Sequence, residues 1–147
     1  MAYLQSLENV TAGKVLQVKR VMQTSAYSHS SASQTELFSR AITPGSTSNK
    51  VLIRCTFRYH YPDGTISHGG FESRLYRDST VINTPLQTYY YFAYETPQNY
   101  QAQYMMFTHM DTVPAATAVT YYYKIASGYG TVITVNNGEM IVSEIAG

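Results

Sequence analysis

The chain is 147 residues long, the size of one domain, and carries 44% hydrophobic but only 13% charged residues, about half the charged share of an ordinary soluble domain. Its net charge is +1 and like charges nowhere form a run, so the electrostatic footprint of a nucleic-acid or anionic-membrane binder is missing. No apolar stretch approaches the roughly 20 residues of a membrane-spanning helix, and residues 1–8 have neither the basic region nor the apolar block of a secretory signal.

In chain order, residues 1–12 read as an N-terminal extension or anchor and 13–147 as a single domain. Residues 14–24 alternate with period two, placing Leu16, Val18 and Met22 on one face, with Arg20 as the exception. Residues 24–35, rich in Ser and Ala, predict a longer loop or irregular edge, and 36–43 a weaker strand ending in the loop Thr43-Pro44-Gly45-Ser46. The clearest strand is 50–60: Val51, Ile53, Cys55, Phe57 and Tyr59 point one way, and Arg54, Thr56, Arg58 and His60 the other. Its lone Cys55 has no disulfide partner in the chain and reads as a small buried hydrophobe.

Tyr61-Pro62-Asp63-Gly64 has Pro and Gly where a tight turn wants them. A strand over 71–77 follows, with Phe71, Ser73 and Leu75 on one face, then the aromatic run Tyr89-Tyr90-Tyr91-Phe92-Ala93-Tyr94. Residues 102–110 form a weaker candidate. In 119–126, Val119, Tyr121, Tyr123 and Ile125 share a face, and 127–130 form a loop. Two last runs, 131–135 and 139–145, flank Asn136-Asn137-Gly138, which reads as a type I′ hairpin. No window repeats apolar residues at helical spacing for three turns. The expectation is an all-β chain, an antiparallel β-sandwich or jelly roll of about eight strands with little or no helix.

Catalysis finds no support in these residues. There is no Gly-x-Ser-x-Gly elbow and no strand-to-helix turn to hold one. Among three Asp and six Glu, Asp63 and Asp78 sit in turn-like contexts and Glu72 and Glu144 on strands, which is not the flanking carboxylate pair of a glycosidase. His60 and His68 bracket the Pro62 turn and, with His109 and Asp111, are the conceivable metal ligands. Their spacing does not single them out, and the prediction is no metal, no cofactor and no catalytic residue.

The tyrosines are the richest feature, 15 of them with no Trp. Tyr joins a large apolar body to a hydroxyl, which suits protein interfaces and stacking on sugars. Tyr89, Tyr90, Tyr91, Tyr94, Tyr100, Tyr104 and Tyr122 are therefore the candidate interface or receptor-binding residues. Arg54, Arg58 and Lys124 project from wet faces, where pairing with Glu72 or Glu95 across a subunit boundary is one use.

Six phrases in order carry a resemblance: Gly13-Lys14-Val15-Leu16-Gln17-Val18; residues 42–53, from Ile42-Thr43-Pro44-Gly45 to Val51-Leu52-Ile53; Leu75-Tyr76-Arg77-Asp78-Ser79-Thr80-Val81-Ile82; His109-Met110-Asp111-Thr112; Thr120-Tyr121-Tyr122-Tyr123-Lys124; and Ile141-Val142-Ser143-Glu144-Ile145-Ala146-Gly147. Together they resemble a β-rich domain of phage tail-fibre and other virion surface proteins, especially of marine and cyanobacterial phages. The resemblance implies a jelly-roll-type sandwich, a homotrimer, and no catalytic residues.

In such proteins the domain usually sits at the tip of a longer stalk, whereas twelve residues precede Gly13. The expected role is thus a non-enzymatic virion structural protein: a capsid decoration or cement protein, or a short appendage. It would sit on the particle surface and bind other virion proteins, capsid or tail. The alternative is an adhesin binding host-surface glycan at a tail-fibre tip.

Overall fold

The computed structural model describes residues 13–61, 68–91, 102–113, 115–128, 130 and 132–147, with the backbone alone at 68–69 and 85–91. Among these residues there is no helix, and nine strands follow in order: β1 (Val15–Gln23), β2 (Tyr27–His29), β3 (Thr35–Ile42), β4 (Lys50–His60), β5 (His68–Arg77), β6 (Thr80–Tyr91), β7 (Gln103–Thr112), β8 (Val119–Ser127) and β9 (Ile133–Ile145). They form two sheets, β1-β9-β4-β7 with β2 also paired to β9, and β3-β8-β5-β6.

The pairings β2–β9, β3–β8, β4–β7 and β5–β6 are antiparallel and nested one inside the next. The chain is therefore one long hairpin closed at its tip by Asp78 and Ser79, where Asp78 takes φ 52°. Two further pairings, β4–β9 and β5–β8, roll that hairpin up so that successive rungs alternate between the sheets. This is jelly-roll connectivity, as expected.

The core lies between the sheets. β4 alternates without a break, burying Val51, Ile53, Cys55, Phe57 and Tyr59 and exposing Arg54 and Arg58. Phe57 sits at the centre, its ring 6.2 Å from Phe38 of β3, 6.1 Å from Phe71 of β5 and 5.8 Å from Tyr123 of β8. Each such ring contributes roughly 1.5–3 kcal/mol through burial. The Cys55 thiol is fully buried, and desolvation pushes its pKa far above the usual thiol range.

One expectation about the elements needs correction. Asn136-Asn137-Gly138 is not a hairpin; it lies within β9, which runs unbroken from Ile133 to Ile145. A type I′ turn needs two successive residues at positive φ, and only Asn137 (φ 49°) has one in this stretch. Between Thr56↔Glu139 and Arg58↔Asn136, β9 carries one residue more than β4, which makes this a β-bulge. The extra residue flips the alternation: Ile133 and Val135 face the core before it, Met140, Val142 and Glu144 after it. Gly138 is required on steric grounds, since a Cβ there would run into the Phe38 ring and approach Phe57 Cβ to 3.0 Å.

In β1, Leu16, Val18 and Met22 share a face as expected, but that face points to solvent, and Val21 packs on the core instead. The stretch 24–35, expected as a longer loop or irregular edge, contains a short strand, β2, which extends the β1 edge along the first part of β9.

Two polar clusters tie the sandwich together. Asp111 of β7, Arg77 of β5 and Tyr121 of β8 connect the sheets: Arg77 Nη1 donates to both Asp111 oxygens at 2.9 Å, and the Tyr121 hydroxyl donates to Oδ2 at 2.6 Å. Burial, with Asp111 adjacent, pushes the Tyr121 phenol well above its usual range. At the end of β9, Glu144 (2% exposed) accepts from Gln17 Nε2 at 2.6 Å, Gly45 N at 2.6 Å and Asn49 Nδ2 at 2.5 Å. Burial acts to raise this carboxyl's pKa, but the three donors together outweigh it and hold it below the usual range.

Candidate interaction surface

The tyrosine candidates separate. Tyr89, Tyr90 and Tyr91 lie on β6 opposite Gly70, Gly69 and His68; their side chains, and Tyr94 and Tyr100 altogether, lie outside the described residues. Tyr104 stands on the outer face of β7, 83% exposed, in register with Arg58. Tyr122 lies on the outer face of the other sheet, opposite Tyr76 and Ser39. Lys124 Nζ sits 5.3 Å from the Tyr122 ring and 4.5 Å from the Tyr76 ring, so the Tyr122 ring has a cationic partner within its own sheet. Its neighbours are core residues: Tyr123 donates its hydroxyl to Ser73 Oγ at 2.9 Å, beside the Tyr121–Asp111 bond.

The histidines and basic residues are also placed. His60 Nδ1 lies 3.2 Å from Asn136 Nδ2, and His109 Nδ1 2.9 Å from Asn83 Nδ2. Asp111 is engaged by Arg77 and Tyr121, the His68 side chain is outside the described residues, and no group of three metal-ligating side chains occurs among those described. Glu72 pairs with Arg74 of its own strand. Glu95 lies outside the described residues.

Sequence reasoning missed the largest feature, the outer face of the β1-β9-β4-β7 sheet. The registers lay it out in rows: Val18, Ser143, Leu52 and Met110; Arg20, Ile141, Arg54 and Thr108; Met22, Glu139, Thr56 and Met106; with Arg58 beside Tyr104 below. Val18 (56%), Met22 (54%), Met106 (73%) and Met110 (47%) are all open to solvent. Arg20 pairs with Glu139 at 2.6 Å, and a shallow open depression lies over the bulge between Met22, Thr56 and Asn137. Exposed apolar residues along both edge strands of one sheet face, with Leu52 and Ile141 between them, mark an interaction site. A signal was present: the β1 alternation shows an apolar face, and only the register says which way it turns.

This jelly-roll sandwich matches no protein-family model, and no curated protein matches it.

Proposed function

We propose that the protein is a non-catalytic structural component of a phage particle, an oligomeric capsid decoration, cement or short appendage protein located on the virion surface. The observation that carries this reading is the outer face of the β1-β9-β4-β7 sheet, where exposed Val18, Met22, Met106 and Met110 flank middle strands bearing Glu139, Arg54 and Arg58, a surface suited to packing against protein. Support also comes from the jelly roll itself, which recurs in viral capsid and lectin domains, and from the ordered phrases that resemble those of virion surface domains. A fold by itself does not fix an activity; the surface supplies the argument.

The glycan-binding alternative is favoured by one residue, the exposed ring of Tyr104. Deleting the gene separates the two readings. Under the structural reading, particles lacking the protein break at lower temperature than intact ones. Normal stability together with failed adsorption to host cells favours the adhesin instead.

A further inference from the structure

The outer face of the β1-β9-β4-β7 sheet has an internal order that points to its occupant. Its two edge columns are mainly apolar, Val18 and Met22 on either side of Arg20 on β1, and Tyr104, Met106 and Met110 with Thr108 on β7. Its two middle columns differ in charge: β9 contributes Glu139 and β4 contributes Arg54 and Arg58. A two-fold axis parallel to the strands through the middle of the face lays β1 of one copy on β7 of another and β9 on β4. Val18 then meets Met110, Met22 meets Met106, and Glu139 of one copy comes opposite Thr56 of the other, between the rows of Arg54 and Arg58. Arg54 is not stacked on its own symmetry mate.

We infer that this face is the contact between two copies of the chain, packed sheet to sheet about such an axis. The inference rests on reading the protein as a self-assembling structural module and specifies which surface it uses. At about 4.8 Å between strands and 3.4 Å per residue, four strands over nine rows span roughly 550 Å² of flat area, or about 1,100 Å² over both partners. That is near the lower bound of about 1,000–1,200 Å² for specific association, so the dimer forms in a concentration-dependent way. The β7 edge adds a reason to be covered: from residue 103 to 110 it has no Lys, Arg, Pro, Asp or Glu, and its register with β4 is unbroken, so it lacks the usual devices that blunt an edge.

The test combines sedimentation with site-directed cross-linking of the full chain. Val18 and Met110 occupy opposite ends of one row, three strand spacings or about 14 Å apart within a copy, but face each other across the contact. The double variant Val18→Cys, Met110→Cys, treated with a short bifunctional thiol reagent, gives a covalent dimer. Neither single variant does so, because each new thiol faces the wild-type residue, and the buried Cys55 does not compete. Met106→Lys, an exposed substitution that leaves the core untouched, weakens self-association by about tenfold or more.

A wild-type chain that stays monomeric throughout the micromolar range overturns the inference. If the chain associates but Met106→Lys has no effect, or the single-cysteine variants cross-link as well as the double, this face is not the contact, while self-association through another surface still stands.

Discussion

Replacing Gly138 with Ala puts a methyl group into the one place in β9 where two aromatic side chains close over the backbone. Its Cβ would overlap the tip of the Phe38 ring and stand 3.0 Å from Phe57 Cβ. Phe38 is 2% exposed and packed 6.2 Å from the Phe57 ring, so it has no open space to swing into. Overpacking of this kind costs about 1–3 kcal/mol, and at about 2–4 °C per kcal/mol for a chain of this size, about 2 kcal/mol lowers the melting temperature by about 6 °C. Gly45→Ala is the control: its Cβ meets only Glu144 Oε1, at 3.6 Å, and the backbone donor to that carboxylate is kept. Thermal unfolding followed by circular dichroism reads both. Adding Phe38→Leu to Gly138→Ala shortens the clashing ring, and the pair then loses less than the sum of the two single losses. If Gly138→Ala melts with the wild type, or falls no further than Gly45→Ala, the packing argument for the bulge is wrong.

Glu144→Gln removes the charge that three donors converge on. Because the folded pKa is depressed, this stabilisation is full above the usual Glu range, near pH 4.3, and is lost as pH falls through the lower folded value; denaturant titrations show the variant weaker at pH 7 and converging with the wild type toward acid. Tyr121→Phe leaves Asp111 held by Arg77 and costs about 1–3 kcal/mol. Arg77→Met strands a carboxylate in the core and costs more, about 3–5 kcal/mol; equal urea midpoints for the two variants would sink the idea that Arg77 is the dominant partner. Cys55 stays unmodified by a thiol reagent in the native protein and reacts at the rate of unfolding, whereas rapid labelling without denaturant would mean the core is open.

How much of this was legible depends on the element. The strand over 50–60 was readable because both its faces follow one unbroken alternation, buried against the opposite sheet on one side and wet on the other. β9 was not, since its single Asn137 at positive φ shifts the alternation by one residue, and two short runs around Asn-Asn-Gly look the same whether a turn or a bulge joins them. β1 shows the limit of periodicity: Leu16, Val18 and Met22 were correctly placed together, yet nothing in the pattern says whether an apolar face turns inward. The nested pairing that makes the sandwich a jelly roll is long-range and was available only through the resemblance. For the site, hydrophobic content drew attention to the tyrosine run, whereas the exposed apolar residues described are mainly Met, Val and Leu spread over β1 and β7.

The trimer implied by the resemblance would need two different complementary patches on each subunit, whereas the contact inferred above joins one face to its own copy, as a two-fold contact does. A trimer and this contact are compatible where the face joins one trimer to another.

The central proposal is that the protein belongs to a phage particle, and quantitative mass spectrometry of virions purified from cells in which the gene is expressed tests it most directly. The account predicts peptides of this chain at a fixed copy number relative to the major capsid protein, retained through density-gradient purification. Its presence in infected-cell lysate with absence from the purified particles would contradict the account.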